Sequence, residues 1–288
     1  TIGGVATSIA LVSQQFLAGV EYQWGVPPGD VGPVLFVGGM AAVYVLSAVS
    51  GLHRGIRRIA GLTVVLFGLF GLLLVAVGPR SFVVERGSSA LGTYLLHFLP
   101  MSLYTGGGGS PALVNSSWLT SWTVWNWAWW FSWAPFAGMF LAALSRGRRL
   151  RTVVFTSVGA TSLATAAWFL VFGGTALSIQ HGGRADVLAA IAERGGSEAV
   201  AGFPILSALP LSDLLLFLFL ALILVFIVTS ADTATLVTSL LASRRGLAPS
   251  RGSIVLWGTF QAAVALAVIL VGGGGTLQAL AVLTGAPF

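Results

Sequence analysis

The stretch from Trp122 to Arg151 reads W-T-V-W-N-W-A-W-W-F-S-W-A-P-F-A-G-M-F-L-A-A-L-S-R-G-R-R-L-R. It holds six of the ten tryptophans of the chain within twelve residues, followed by Pro135, Gly138, an apolar run and a cluster of arginines. Indole rings favour places where one edge is apolar and the other polar. Six of them together indicate an aromatic-lined binding place, and the remainder of the chain is interpreted around it.

The composition is that of an integral membrane protein. Hydrophobic residues make up 56% of the chain and charged residues 8%, whereas soluble domains carry roughly 25% charged residues. Several apolar runs approach the roughly 20 residues that a helix needs to cross a bilayer. We therefore predict an all-α protein embedded in a lipid bilayer. All fourteen basic residues are arginines between the apolar runs, so the net charge of +6 does not indicate a nucleic-acid partner.

Eight apolar runs predict about eight transmembrane helices within a single domain, 1–288: residues 1–20, 31–50, 61–78, 119–144, 152–174, 211–241, 253–271 and a last run after Gly275. Two segments are more polar. We expect residues 80–117 to form an extracellular amphipathic segment, interrupted at Gly92 and Pro100, with a loop. Residues 181–210 are expected to form an extracellular loop with a short helix, after which Ser212 is predicted as an N-cap. Because the chain begins and stops within apolar sequence, we expect a piece truncated at both ends.

Arginine counts predict the orientation. The loops at 52–58, 146–151 and 244–251 carry ten arginines, and the loops on the opposite side carry four. An excess of Arg marks cytoplasmic loops of membrane proteins. We therefore place these three loops in the cytoplasm, for a multi-pass protein of the inner (plasma) membrane.

Helical phase places most of the tryptophans on one face. At 100° per residue, five of the six fall within about 140° of arc, and Trp127 lies outside it. The alternative is an aromatic belt at the membrane interface, which would lie at one depth. Trp122 to Trp133 spans about 16 Å at 1.5 Å per residue, so a binding wall is favoured.

Pro135 removes the helical partner of the Phe131 carbonyl, and we expect an interrupted helix there, as at transporter sites. Aromatic faces suit quaternary ammonium cations.

A second candidate motif is F-I-V-T-S-A-D-T-A-T, Phe226 to Thr235. Thr229 and Ser230 share a helix face with Phe226, and hydroxyl and carbonyl oxygens suit a hard cation such as Na⁺. The alternative is that both hydroxyls bond back to their own helix. Asp232 is a further functional candidate because an ionisable residue near a membrane interior is expensive, unless the helix has left the bilayer at that point.

The tryptophan stretch resembles the signature of the betaine/carnitine/choline transporter family. V-T-S-A-D-T-A-T, S-G-L-H-R-G-I at 50–56 and F-G-G-T-A-L at 172–177 are also similar to that family. The resemblance implies a transporter fold of two inverted five-helix repeats, of which this chain would hold core helices three to ten, and a homotrimer. It also implies that the substrate meets further residues on core helices one and two.

The resemblance implies two kinds of site. It places Trp129, Trp130 and Trp133 on the substrate path, and we include Trp125 and Trp127 of the same stretch in the predicted substrate site. It assigns Na⁺ to Phe226, Thr229 and Ser230. A second Na⁺ site would use Thr1 and Phe136, but Val5 stands where its second hydroxyl is expected.

The predicted function is secondary active import of a quaternary ammonium compatible solute, glycine betaine or choline, coupled to Na⁺ and without a further cofactor. The alternative within transport is a Na⁺-independent exchanger or a proton-coupled carrier for carnitine- or choline-like substrates. A membrane-embedded enzyme would need clustered His, Asp or Glu, and Asp232 alone does not supply them. A sensor that binds the solute without transporting it is the remaining alternative.

Overall fold

The computed structural model describes residues 2–51, 55–104, 119–243, 249–271 and 274–285. These residues fold mainly into helices, and no β-strand occurs among them. The helices, in chain order, are α1 (Ile2–Trp24), α2 (Gly32–Ser50), α3 (Arg57–Val77), α4 (Arg80–Ser102), α5 (Trp125–Leu144), α6 (Leu150–His181), α7 (Val187–Glu193), α8 (Gly202–Ser207), α9 (Ser212–Leu241), α10 (Arg251–Val271) and α11 (Gly274–Gly285).

Six of the described helices are long and apolar enough to cross a membrane: α1, α2, α3, α6, α9 and α10. Each coincides with a run predicted from the sequence. The tryptophan helix α5 has 20 residues, which is also the length of a span. Helix α11 has 12 residues. The prediction of an all-α membrane protein is confirmed.

Helix α9 is the element on which two apolar clusters are built. Its first half packs with Phe70 of α3, Ile179 of α6 and Phe203 of α8. Its second half, beyond Phe226, packs with α1, α2 and α10 around residues such as Ile9 and Tyr44. Because α9 is apolar on nearly all sides along its first half, it is suited to this central position.

Helix α4 lies on the surface of the bundle, and none of its residues is buried. It runs without a break from Arg80 to Ser102, so the predicted interruption at Gly92 and Pro100 is wrong. Pro100 lies within the last turn, where one lost backbone hydrogen bond has little effect on the helix. Residues 105–117 of the predicted loop lie outside the described residues.

Helix α5 also differs from the prediction, because it continues through Pro135 without interruption. Trp133 and Phe136, on either side of the proline, both pack against the cluster around α1 and α9. This packing holds the helix together where one backbone hydrogen bond is missing. The irregular part lies earlier, as a π-helical turn at Leu119–Val124 that leads directly into α5. π-Helical turns are frequent at functional sites.

The segment before α9 contains the predicted short helix. Helix α7 is capped by Asp186, whose side chain accepts a hydrogen bond from the Ala189 amide at 2.9 Å. The predicted N-cap role of Ser212 is wrong, because Ser212 is the first helical residue. The cap position is Leu211, in the left-handed conformation with φ of 61° and without a side-chain cap.

Candidate functional site

The candidate site is a cavity of about 230 Å³ where α1, α5 and α9 meet. Its lining comprises Ser8, Leu11, Val12, Trp129, Trp130, Trp133, Phe226, Ile227 and Ser230. Two sequence motifs that lie about a hundred residues apart therefore face the same cavity. A cavity of this size is smaller than the roughly 300–1,000 Å³ of sites for drug-sized ligands, so it suits a small solute.

One wall of the cavity is aromatic. The ring centroids of Trp129 and Trp130 lie 6.1 Å apart, with the ring planes tilted by 38°. Trp133 meets Phe136 edge to face at 5.3 Å. Each of these contacts restricts the rotation of an indole ring, and the cavity lining is far more apolar than polar. Indole faces attract a cation without hydrogen-bond donors, and most strongly once bound solute has displaced the water around them.

Trp125 and Trp127 were predicted with this group, but neither belongs to the cavity lining. Trp125 lies behind the wall, stacked on Trp129 at 5.4 Å with an angle of 16° between the rings. Trp127 lies on another face of α5, 59% exposed, where its ring contacts Phe131 at 5.5 Å. Helical phase had already separated Trp127 from the other five. A direct contact of either residue with substrate remains a prediction.

Helix α9 contributes one hydroxyl group to the cavity lining, that of Ser230, and Thr229 precedes it in the chain. Thr229 Oγ1 donates to the carbonyl of Phe226 at 2.7 Å, and Ser230 Oγ donates to the same carbonyl at 3.3 Å. These are the back-bonds that the sequence left open as an alternative. They use the single proton of each hydroxyl and leave lone pairs on both oxygens. The two oxygens therefore keep the capacity to bind a hard cation.

Four lining residues were missed from the sequence: Ser8, Leu11 and Val12 of α1, and Ile227 of α9. Ser8 adds a second hydroxyl, which donates to the Gly4 carbonyl at 2.8 Å. Positions 8, 11 and 12 follow helical spacing and so share one face of α1. Small residues and hydroxyl groups lie on more than one face of α1, however, so its sequence does not show which face meets the tryptophans.

The structure describes only part of the second predicted Na⁺ site. Thr1 lies outside the described residues. Val5 is fully buried in the cluster against which Phe136 packs. Valine offers no oxygen ligand, and its apolar surroundings favour packing. This site remains a prediction.

Asp232 lies in the helix packing and is not exposed at all, which excludes the surface alternative. Ser47 Oγ of α2 donates to its Oδ2 at 2.6 Å, and Thr233 Oγ1 lies 3.0 Å from its Oδ1. The contact with Ser47 joins α2 to α9 below the cavity. Asp232 does not belong to the cavity lining, so its observed role is to hold two helices together.

Polar contacts also fix the opposite end of α1. Arg194 Nη1 forms an ion pair with Glu21 Oε2 at 2.8 Å, and Gln23 Nε2 donates to Asp213 Oδ1 at 3.1 Å. These contacts tie the end of α1 to the segment before α9 and to the start of α9 itself. Helices α1 and α9, which form two sides of the cavity, are thus joined at this end.

The chain was compared with protein-family models and with known proteins, and one family model matches it. The family model described as betaine/carnitine/choline family transporter matches residues 1–288. A protein of Desulfitobacterium hafniense named probable glycine betaine transporter is 32% identical over 97% of this chain and 54% of its own length.

Two further relatives match the entire chain. The glycine betaine transporter OpuD of Bacillus subtilis is 33% identical, over 54% of its own length. An ectoine/hydroxyectoine transporter of Virgibacillus pantothenticus is 32% identical, over 56% of its own length. The chain thus spans about half the length of these relatives. Because the family model covers every residue, the chain belongs to the betaine/carnitine/choline transporter family, a family of multi-pass membrane transporters and not of enzymes.

Proposed function

We propose that this protein imports a quaternary ammonium compatible solute, glycine betaine or choline, by secondary active transport coupled to Na⁺. One observation carries the proposal. The three tryptophans of α5 and the hydroxyl-bearing turn of α9 line one cavity. The names of two relatives specify glycine betaine, which supports this substrate class.

In the proposed mechanism, the trimethylammonium group lies between the indole faces of Trp129, Trp130 and Trp133. Each desolvated cation–π contact contributes up to ~2 kcal/mol. Na⁺ binds at Thr229 and Ser230, with the Phe226 carbonyl beside it. Because Phe226 and Ser230 also line the cavity, the ion and the solute would stabilise the same arrangement of α9 against α5. Each ligand would then raise the affinity for the other by the same factor.

Access from both sides follows the family expectation of two inverted five-helix repeats that rock about a central site. The arginine-rich loops at 52–58, 146–151 and 244–251 face the cytoplasm in this proposal. Solute and Na⁺ enter from the other side, near the contacts of Glu21 and Gln23 at the end of α1.

A second candidate is a Na⁺-independent exchanger or a proton-coupled carrier of the same substrates. The observation in its favour is Val5, which is apolar and fully buried where a second Na⁺ site would need a hydroxyl. The hydroxyl of Ser230 in the cavity lining, with Thr229 next to it in the chain, favours the Na⁺-coupled form.

The test is uptake into proteoliposomes that hold the full-length protein. Radiolabelled glycine betaine is offered under an inward Na⁺ gradient, under an inward proton gradient, or with betaine or carnitine loaded inside. We expect accumulation under the Na⁺ gradient alone, with competition by choline. Accumulation under the proton gradient, or only against an internal solute, would establish the second candidate. Saturable binding without uptake would point to a sensor.

A separate competition experiment tests the substrate class, because one relative is named for ectoine and hydroxyectoine. Unlabelled betaine, choline, carnitine and ectoine are compared as competitors at equal concentration. We expect the trimethylammonium compounds to compete more strongly than ectoine, since they present an apolar cation to the indole faces. Stronger competition by ectoine would contradict the proposed substrate class.

A further inference from the structure

Gly4 of α1 lies against Ser132 and Trp133 of α5, beside the cavity. A methyl group at this position would run into Ser132 Oγ, and it would lie 3.1 Å from Trp133 Cδ1 and 3.2 Å from Trp133 Nε1. Ser132 is fully buried, and its Oγ donates to the Trp129 carbonyl at 2.6 Å, so the methyl group would have to displace a hydrogen-bonded hydroxyl. A side chain at position 4 would therefore require Ser132, Trp133 or the spacing of the two helices to shift.

The carbonyl of Gly4 makes a second connection to the aromatic wall. Trp129 Nε1 donates to this carbonyl at 3.4 Å, and Ser8 Oγ donates to it at 2.8 Å. Trp129 and Ser8 both line the cavity. One backbone oxygen therefore joins a wall residue of α5 to a hydroxyl of α1.

The hydrogen bond to Gly4 restricts a motion of the Trp129 ring that its other contacts allow. Its ring is stacked on Trp125 on one side, which fixes the tilt of the plane. Stacking does not stop a ring from sliding within its own plane. A hydrogen bond from the indole N–H to a fixed carbonyl does, because it holds one edge of the ring at a set distance from α1.

We propose that Gly4 is a positioning residue for the solute cavity. Its missing side chain sets how closely Trp133 approaches α1, and its carbonyl oxygen sets where the edge of Trp129 stands. Cation–π attraction requires the cation within about 6 Å of the ring centroid, so a displaced indole binds the solute more weakly. This inference rests on the proposed function for the identity of the solute, but the placement of the two indoles can be measured without any solute.

The central variant is Gly4→Ala in the full-length protein, with Gly138→Ala as the matched control. Gly138 lies in α5 itself, and a methyl group there would meet nothing within 4 Å. A third variant combines Gly4→Ala with Ser132→Ala. It removes the oxygen that the new methyl group would strike and keeps the tight contact with Trp133.

The first measurement is fluorine NMR of fluorotryptophan-labelled protein without solute, with resonances assigned by single Trp→Phe replacements. We expect Gly4→Ala to move the signals of Trp129 and Trp133 and to leave that of Trp127 in place. Gly138→Ala should move neither of the two cavity signals. Unmoved Trp129 and Trp133 signals in folded Gly4→Ala protein would overturn the proposal, whatever the substrate is.

The second measurement is the concentration dependence of glycine betaine uptake. We expect Gly4→Ala to raise the half-saturation concentration about tenfold, as for the partial loss of one cation–π contact. The double variant should recover thermal stability and affinity only in part, because Ser132→Ala also removes the 2.6 Å hydrogen bond to the Trp129 carbonyl and Trp133 stays displaced. Full recovery of both would show that Gly4 matters for folding alone and would overturn the positioning role.

A failure of betaine transport in the wild-type protein would count against the proposed function and leave the NMR arm intact. If Gly4→Ala does not fold, Ser132→Thr adds a methyl group to the same contact from the α5 side. Movement of the Trp129 and Trp133 signals in that variant supports the proposal, and unchanged signals contradict it.

Discussion

Trp127 and Trp130 stand three residues apart on α5 and are exposed to nearly the same extent, 59% and 63%. Trp130 faces the cavity shared with Phe226 and Ser230, whereas Trp127 contacts Phe131 on the outer face of the same helix. Neither the residue type nor its exposure distinguishes the two. Helical phase places them on different faces of α5, and the packing of α1 and α9 against one of those faces gives Trp130 its cavity.

The largest effect is expected when this comparison is tested directly by replacing each tryptophan with leucine. Trp130→Leu should raise the half-saturation concentration of betaine uptake about 30-fold, because it removes a cation–π contact of ~2 kcal/mol. Trp127→Leu should change it less than about twofold. Initial uptake rates are measured at equal amounts of protein in the membrane. Equal effects of the two replacements would mean that both faces of α5 meet the solute.

A smaller effect is expected on the opposite side of the cavity. Replacing Thr229 and Ser230 together by alanine should raise the Na⁺ concentration for half-maximal uptake about tenfold, since two oxygen ligands are lost. The control is Thr259→Ala. Thr259 makes the same back-bond, to the Val255 carbonyl of its own helix at 2.8 Å, on an exposed face of α10. An unaltered Na⁺ dependence in the double variant would remove the ion from this turn of α9.

The two motifs could be predicted from the sequence, but their meeting could not. The length of the apolar runs was enough to place the spanning helices, and helical phase was enough to set Trp127 apart. The spacing between Trp130 and Ser230 carries no information about distance in space. The family resemblance implied a substrate path for one and a Na⁺ site for the other, and the structure now shows both in one cavity lining.

The residues that the sequence did not reveal are those whose role depends on a neighbour. Ser8 looks like any small residue of α1 until Trp129 and Ser230 are found beside the same cavity. Pro135 was expected to interrupt α5 because a proline lacks an N–H, but the packing of the side chains around it outweighs one lost hydrogen bond. In both cases the sequence pattern alone gave no correct prediction, because contacts with other helices determine the structure.

A third test uses Asp232 of α9, which accepts a hydrogen bond from the Ser47 hydroxyl of α2 and does not line the cavity. Ser47→Ala removes the 2.6 Å hydrogen bond to the buried Asp232 and should lower stability by about 1 kcal/mol. The half-saturation concentrations for solute and Na⁺ should not change, since neither Ser47 nor Asp232 lines the cavity. Ser50→Ala, which loses only a bond to the Ser47 carbonyl within α2, is the control. Thermal unfolding in detergent and uptake kinetics separate the two effects.

The smallest effect is expected at Asp186, far from α5. The Ala189 amide, followed by the Gln180 side chain, lowers the pKa of Asp186 below its ordinary value of 3.8. A depressed pKa in the folded state means that the ionised cap stabilises α7 above pH 3.8, and that this contribution disappears as the pH falls through the lower, folded-state pKa.

We expect amide exchange in residues 187–193, corrected for intrinsic rates, to lose protection in that acidic range. Asp186→Asn keeps an acceptor for Ala189 and should abolish this pH dependence while betaine affinity stays unchanged. A loss of affinity in that variant would show that the segment before α9 acts on the cavity through the contacts of Glu21 and Gln23, so that residues facing away from the cavity also shape it.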